Sequence, residues 1–134
     1  MADLDRFKSI NDRFGHPAGD TVLQQASNRL RAGVRPYDHV GRYGGEEFLI
    51  VLPDCGLEQA RTLSERLRRS VGDVPMHVEG EEMRVACGFG VACADSPNET
   101  SVAALVQAAD KALYLAKQAG RNCVRIAPGM AKRS

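Results

Sequence analysis

Two adjacent carboxylates at the tip of a predicted hairpin are the strongest chemical signal in this sequence. Residues 44–48 read GGEEF, and the apolar run 48–52 follows directly. Glycines beside such a run predict a β-hairpin turn. Two acidic side chains at one tip repel each other unless a cation neutralises them, and oxygen ligands suit Mg²⁺ or Mn²⁺. Glu46 and Glu47 are therefore candidate metal ligands.

The same run also has a purely structural interpretation. Glycines followed by acidic residues are common in exposed turns, and turn chemistry alone accounts for every residue of the run. A second acidic cluster, Asp3-Leu4-Asp5, lies at the end of another predicted strand and favours the metal site. Gly44 and Gly45 would then let a bulky ligand approach the backbone closely. Such a site suits a metal-bound substrate that is rich in phosphate.

Basic side chains that could neutralise phosphate groups accompany these acids. Lys8, with the polar Asn11 beside it, follows the first acidic cluster on the next predicted helix. Lys117 and Arg121 lie near the end of the last predicted helix. A spacing of four residues places Lys117 and Arg121 on one helix face. Acids that hold cations, beside bases that clamp phosphates, are what phosphoryl or nucleotidyl transfer requires. Alternatively, this helix face is solvated and only compensates the helix dipole.

Four amphipathic helices and six short strands are predicted to position these residues, in the order β-α-α-β-β-α-β-β-α-β. After a loop at 16–19, Asp20 is expected to cap the second helix, and Ser101 is expected to cap the fourth. A single strand is predicted over 83–93. Helices on one or both faces of a central sheet make this an α/β domain, or an α+β sandwich.

Composition fits one domain and argues against several kinds of partner. The chain has 134 residues and a net charge of +1, so no overall field attracts nucleic acid or a membrane. No segment has the pattern of a transmembrane helix or a secretory signal. The four cysteines lack metal-ligand spacing and are expected to be reduced, which predicts a cytoplasmic protein. Residues 1–127 are predicted to form the domain and 128–134 a disordered tail.

Four motifs together resemble the GGDEF domain, the catalytic domain of diguanylate cyclases. They occur in the family's order and spacing at residues 3–12, 14–20, 42–48 and 109–122. The resemblance implies a central, mostly antiparallel sheet flanked by helices, as in class III nucleotide cyclases and polymerase palm domains. It also implies condensation of two GTP molecules into cyclic di-GMP with release of pyrophosphate. The implied catalyst is a homodimer in which each protomer presents one GTP.

The resemblance also assigns roles to individual residues. It implies two Mg²⁺ or Mn²⁺ ions per active site, bound by Asp3, the Leu4 carbonyl, Glu46 and Glu47. Of the two glutamates, Glu46 is the stronger candidate for deprotonating the attacking 3′-hydroxyl. Asp20 could contact guanine, cap its helix, or do both. The implied substrate contacts are to guanine from Asn11 and Asp20, to phosphates from Lys8, Lys117 and Arg121, and to the nucleotide at Gly44 and Gly45.

A second, inhibitory site is implied by the Arg-x-x-Asp motif at residues 35–38. The resemblance implies that Arg35 and Asp38 bind the product cyclic di-GMP, with Arg66 as a secondary contact. Arginine presents a planar fork, and aspartate accepts from guanine N–H groups. The local alternative is a salt bridge within the loop. For the whole chain, the alternatives are a cyclic di-GMP receptor with little turnover and a GTP-sensing regulator.

The sequence departs from the family pattern in two places. Because the chain begins two residues before Asp3, its first strand is expected to be truncated, which would weaken stability and triphosphate binding. Residues 86–90 read ACGFG where relatives usually show Thr-x-Ser-x-Gly. This second change removes hydroxyl groups from a central strand but leaves the metal and guanine residues in place, so we expect a modest effect.

Overall fold

The computed structural model describes residues 1–94 and 100–128, and these form seven strands and four helices. In chain order the elements are β1 (Ala2–Leu4), α1 (Phe7–Phe14), α2 (His16–Gly33), β2 (His39–Arg42), β3 (Glu47–Val51), α3 (Leu57–Gly72), β4 (Met76–Val78), β5 (Glu81–Met83), β6 (Cys87–Val91), α4 (Val102–Gln118) and β7 (Val124–Ile126).

The main sheet has five strands in the order β2-β3-β1-β6-β7. Every neighbouring pair is antiparallel except β6 and β7, which confirms the predicted, mostly antiparallel sheet. β1 lies in the centre, where Asp3 pairs with Glu47 of β3 on one side and with Gly88 of β6 on the other. The start of the chain is thereby fixed between two strands that come much later in the sequence.

Helices cover both faces of this sheet. The side chains of β3 alternate between the faces, as a pleated strand requires. Phe48 and Ile50 pack with the core beneath α1, α2 and α3, whereas Leu49 packs with Leu113 and Ala109 of α4. The predicted α/β layering is therefore confirmed, and α4 alone covers the second face among the described helices.

The ACGFG segment contributes β6, whose residues are all buried. Gly90 lies so close to α4 that a Cβ there would overlap the backbone of Ala109 and Leu113. Burial raises the pKa of the Cys87 thiol, so this cysteine is the inert core residue that its apolar surroundings suggested. A glycine in β6 is therefore required by the close approach of a helix.

The start of α2 differs from the prediction. The helix begins at His16 instead of after Asp20, and residues 16–19, predicted as a loop, form its first turn. Gly15, with φ of +90°, precedes it, and Pro17 lies at the start of the helix. A proline whose φ is already helical favours a helix start at this point. Asp20 therefore lies inside α2, so its predicted role as the N-cap is wrong.

The predicted strand at 83–93 is in fact two strands that belong to different sheets. β5 pairs with β4 in a separate hairpin, whereas β6 pairs with β1 and β7. Residues 84–86 connect the two. The apolar run was read as one strand because its composition does not change where the pairing partner changes.

The prediction for the start of α4 is confirmed, and the prediction for its end is wrong. The cap at Ser101 is confirmed, since its side chain accepts the N–H of Ala104 at 3.1 Å. The helix ends at Gln118, however, and Arg121 lies beyond it with φ of +66°. The prediction that Lys117 and Arg121 share one helix face is therefore wrong.

No helix in the described part of the chain is long and apolar enough to span a bilayer. The predicted disordered tail at 128–134 lies, from residue 129 onward, outside the described residues.

Candidate active site

The three predicted metal-binding side chains line one open pocket of about 430 Å³. Asp3 lies one residue before the end of β1 and is 3% exposed. Glu47 begins the neighbouring strand β3, and Glu46 precedes it in the turn. Antiparallel pairing of β1 with β3 places the two strand ends side by side. The described residues that line the pocket are Asp3, Gly45, Glu46, Glu47, Asp110, Leu113, Tyr114 and Lys117.

Lys117 supplies a positive charge to this acidic pocket. Its Nζ lies 2.8 Å from Oδ2 of Asp3. Partial burial alone would lower the pKa of Lys117, but the hydrogen bond to Asp3 and the nearby charges of Glu47 and Glu46 together raise it above the ordinary value. The lysine therefore stays protonated, and α4 positions it directly over the end of β1.

The pocket nonetheless keeps an excess of negative charge. Burial raises the pKa of Glu46, and the charges of Asp3 and Glu47 raise it further, against the opposing effect of Lys117. A pKa moves in this direction when a carboxylate is not fully compensated by its surroundings. Among the described lining residues, four carboxylates face one lysine. This charge excess favours a cationic ligand.

The oxygen donors of the pocket fit Mg²⁺ or Mn²⁺ in an open site. Among residues 1–94 and 100–128, no three His, Cys, Asp or Glu side chains are arranged to enclose an ion. Mg²⁺ usually binds one or two carboxylates and completes its shell with water and substrate phosphates. The Leu4 N–H donates to the carbonyl of Glu46 at 3.2 Å, which places this peptide beside the turn. The donor set therefore suits an ion that the substrate helps to bind.

The turn before β3 is held by its own backbone and by Arg42. The N–H groups of Tyr43 and Gly44 donate to the carbonyl of Glu47, and Arg42 donates to the carbonyls of Gly44 and Gly45. A Cβ on Gly44 would lie 2.8 Å from Oε1 of Glu47, whereas one on Gly45 would meet nothing within 4 Å. Gly44 is therefore needed so that the Glu47 carboxylate can occupy its position.

The two predicted guanine contacts, Asn11 and Asp20, lie outside the acidic pocket. Asn11 packs against Gly19 of α2, so closely that a Cβ at residue 19 would overlap its side chain. Within the described residues, the Oδ1 atom of Asn11 is buried without a hydrogen-bond partner. Asp20, next to Gly19, is exposed. A buried amide oxygen without a partner is unfavourable and marks a place where a ligand could donate a hydrogen bond.

The remaining predicted phosphate contacts differ in how they are placed. Lys8 is an exposed residue of α1, and it is not among the described residues that line the acidic pocket. Arg121 lies after α4, near Asp5; burial raises the pKa of the Asp5 carboxyl, and the charge of Arg121 opposes that rise only in part. Of the three predicted phosphate-binding bases, Lys117 is the one that the structure places in the pocket lining.

The predicted inhibitory site is a closed ion pair. The side chain of Asp38 is fully buried, and it accepts the Arg35 backbone N–H at 2.7 Å and Nη2 at 2.8 Å. The hydrogen bonds from Arg35 lower the pKa of Asp38. Arg35 also donates to the carbonyl of Pro53 and lies 4.6 Å from the ring of Tyr37. The loop salt bridge is thus formed, and product binding stays a prediction.

Arg66 extends from α3 to the same region. Its Nη2 donates to the carbonyl of Gly33 at 3.1 Å, at the end of α2 and close to Arg35 in sequence. Arg66 is therefore a further basic group close to the loop of residues 35–38.

Sequence reasoning missed three residues of the pocket. Asp110, Leu113 and Tyr114 line it together with Lys117. Spacings of three, four and seven residues place them on one face of α4. The phenol of Tyr114 is exposed and accepts a hydrogen bond from Gln118 at 2.9 Å. Helical periodicity counted back from Lys117 would have found all three.

Comparisons with known sequences agree with the motifs. Residues 1–123 match the family described as "Diguanylate cyclase, GGDEF domain". The chain is 44% identical over 127 residues to the diguanylate cyclase DgcP of Pseudomonas aeruginosa, which covers 95% of this chain and 19% of that protein. It is 43% identical over 126 residues to the response regulator PleD of Caulobacter vibrioides, and this match covers 92% of this chain and 28% of that protein. The chain thus spans less than a third of the length of these curated relatives.

Comparisons with solved structures agree as well. The active GGEEF domain of a diguanylate cyclase from Vibrio cholerae superposes with a TM-score of 0.85 at 33% identity, covering 94% of this chain and 79% of that one. The GGDEF domain of DgcB from Caulobacter crescentus, solved in complex with c-di-GMP, gives a TM-score of 0.87 at 32% identity, covering 94% and 74%.

Proposed function

The chain belongs to the GGDEF family of diguanylate cyclase domains, and from this premise we propose that it condenses two GTP molecules into cyclic di-GMP with release of pyrophosphate. One observation carries the proposal: Asp3, Glu46 and Glu47 share an open pocket with Lys117. An excess of carboxylate over base, open to solvent, suits a substrate that brings phosphates together with divalent cations.

The acidic residues would bind the metal ions, and one of them would accept the proton of the attacking hydroxyl. Asp3, the Leu4 carbonyl, Glu46 and Glu47 would hold two Mg²⁺ or Mn²⁺ ions, which supply charge neutralisation for the phosphates when bound. Glu46 accepts the proton of the attacking ribose 3′-hydroxyl, while Glu47 and Asp3 remain charged ligands.

The basic residues bind the triphosphate. Lys117 moves its Nζ from Asp3 to phosphate oxygens when substrate enters, which frees the aspartate for its role as a ligand. Lys8 and Arg121 contact the outer phosphates. Gly44 and Gly45 leave room for the nucleotide beside the turn, and Gly45 lines the pocket with an open side.

Guanine is read between α1 and α2. The unpaired Oδ1 of Asn11 is an acceptor for a guanine N–H, once the side chain turns toward the base. The exposed carboxylate of Asp20 is a second acceptor one turn into α2. Guanine offers two adjacent donors on this edge, N1–H and the 2-amino group, and adenine lacks both, so two acceptors here select GTP over ATP.

The reaction needs two protomers. Each protomer presents one GTP, and the 3′-hydroxyl of each GTP attacks the α-phosphate of the other. An open pocket on one protomer permits this approach, so we propose a homodimer as the active form. Because the proposed substrate is GTP, we also propose that the domain acts in the cytoplasm.

Product binds at the separate site of Arg35, Asp38 and Arg66. Cyclic di-GMP would share Arg35 with Asp38, since the guanidinium has five N–H donors and the ion pair uses only some of them. Because this loop is complete without the acidic pocket, a receptor that binds cyclic di-GMP with little turnover is the second candidate function.

Product analysis separates these two functions. The purified chain is incubated with GTP and Mg²⁺, and nucleotides are resolved by chromatography and mass spectrometry, with a sample lacking divalent cation as the control. Metal-dependent formation of cyclic di-GMP supports the cyclase. Tight binding of cyclic di-GMP without turnover favours the receptor, and neither turnover nor binding overturns both.

A further inference from the structure

A short left-handed turn follows α4, and it carries Arg121. Gly120, Arg121 and Asn122 have φ of +108°, +66° and +46°. Glycine adopts such angles freely, but two successive residues with side chains do so only when the surrounding structure supports them. The question is therefore what holds Arg121 and Asn122 in this conformation.

Contacts from three parts of the fold support this turn. Within its own neighbourhood, the Arg121 N–H donates to the Ala116 carbonyl at 3.0 Å. Directly after β1, Asp5 accepts the Asn122 N–H on Oδ2 at 2.8 Å, across 117 residues of sequence. From α3, Arg68 donates to Oδ1 of Asn122 at 3.0 Å. The backbone N–H and the side-chain Oδ1 of Asn122 are therefore each held by a residue distant in sequence.

Asp5 contacts the turn that carries Arg121 and does not line the acidic pocket. It is 9% exposed and is not among the described residues that line the pocket, although it lies two residues after Asp3. Its Oδ1 faces Gly88, where a Cβ would lie 3.7 Å away. One short segment of chain thus presents one carboxylate to the pocket and a second to the turn.

We propose that Asp5 is a positioning residue that fixes the Arg121 turn, and so directs the Arg121 guanidinium toward the substrate triphosphate. The inference rests on the proposed function, in which Arg121 contacts phosphates. Asp3 lies in β1, and Asp5 is the first residue after that strand. The acidic side and the basic side of the site are therefore held in register by one short segment, with Arg68 as the second support.

The test is a mutant cycle measured as binding of 3′-deoxy-GTP, which lacks the attacking hydroxyl and so reports affinity without turnover. We expect Arg121→Ala to weaken binding about tenfold, as loss of one charge-assisted hydrogen bond does. Asp5→Ala should weaken it by a similar factor. The double variant should bind as Arg121→Ala does, because Asp5 acts only through Arg121.

Controls separate positioning from general damage. Asp5→Asn keeps an acceptor for the Asn122 N–H and should retain most of the affinity. If Asp5→Ala does not fold, Arg68→Met tests the same turn from the other side, and we expect about threefold weaker binding that is again absent in the Arg121→Ala background. Arg69→Met is the matched control, because this neighbouring arginine is exposed and forms its ion pair with Glu65, away from Asn122.

The outcomes distinguish this inference from the proposed function. Losses that multiply in the double variant, or an Asp5→Ala variant that binds like the parent chain, would overturn the positioning role even if cyclic di-GMP is made. Absence of cyclic di-GMP from the parent chain would instead overturn the cyclase, while the binding cycle would still report on the turn.

Discussion

The acidic pocket and the Arg35–Asp38 loop are both ionic sites, but their charges are balanced in different ways. In the pocket, Asp3, Glu46 and Glu47 share one lysine and open to solvent. In the loop, one carboxylate is matched by one guanidinium, and the side chain of Asp38 is fully buried. The pocket needs a cationic ligand to balance its negative charge, whereas the charges of the loop already balance each other.

The pKa shifts express the same difference. The pKa of Glu46 is raised, first by burial and then by its acidic neighbours, so folding makes its charged form less favourable. The pKa of Asp38 is lowered by hydrogen bonds from Arg35, so folding stabilises its charged form. A carboxylate whose charge the fold opposes points to a ligand, while one whose charge the fold stabilises points first to structure.

The largest effect is expected from removing a charge of the pocket. Glu46→Gln keeps the shape of the side chain but loses a metal ligand and base, so the rate of cyclic di-GMP formation should fall on the order of 10²-fold or more. Its melting temperature should stay close to that of the parent chain. Glu58→Gln, at an exposed glutamate of α3 that pairs with Arg61, is the control. Turnover equal to the parent would remove Glu46 from the mechanism.

A smaller effect is expected at the loop, if its arginine also binds product. Arg35→Ala should weaken binding of cyclic di-GMP about tenfold, since the planar fork has no substitute. Titration calorimetry measures this directly. The matched control is Arg61→Ala, an arginine in an exposed pair of the same spacing. Equal affinity of Arg35→Ala and the parent would leave the motif as a salt bridge alone.

The geometry of the pocket can be tested without changing any charge. In Gly44→Ala the new methyl group would lie within contact of the Glu47 carboxylate and displace it. Turnover should fall about fivefold, because a misplaced ligand weakens alignment of the reacting groups. Gly41→Ala, where a Cβ meets nothing within 4 Å, is the control. A similar rate in both variants would show that Glu47 needs no fixed position.

The smallest effect concerns the acid stability of the loop. Because the folded pKa of Asp38 is lowered, its contribution to stability is complete above the unfolded pKa and is lost as pH falls through the folded one. Asp38→Asn should therefore melt a few degrees below the parent at neutral pH, and the difference should shrink below about pH 4. Thermal melts over this range measure it. A difference that stays constant with pH would contradict the assignment.

Local patterns predicted the hairpin tip well and the helix and strand limits less well. The glycines before a continuous apolar run identified the turn, and Ser101 identified a helix start, because both signals depend on neighbouring residues. Asp20 misled the prediction, since Pro17 offered an earlier start that its preset φ favours. The break between β5 and β6 has no local signal, because it arises where pairing changes from one sheet to another.

The contacts that complete the site were beyond any local pattern. Nothing near Asp5 in the sequence indicates that it accepts a hydrogen bond from Asn122. Arg121 was placed on α4 by its spacing from Lys117, but the left-handed turn removes it from that helix. Motifs could thus name candidate residues for the site, whereas their arrangement depends on the long-range pairing of β1.

The central position of β1 also has a consequence for the order of events during folding. β1 is synthesised before the other described elements of this domain, yet its partners are the much later strands β3 and β6. Closing loops of this size slows folding, because chain entropy is lost before the contacts form. α1 and α2 can pack on each other early, but the acidic pocket forms only after most of the chain has been synthesised. A nascent chain therefore passes through a stage with helices and no site.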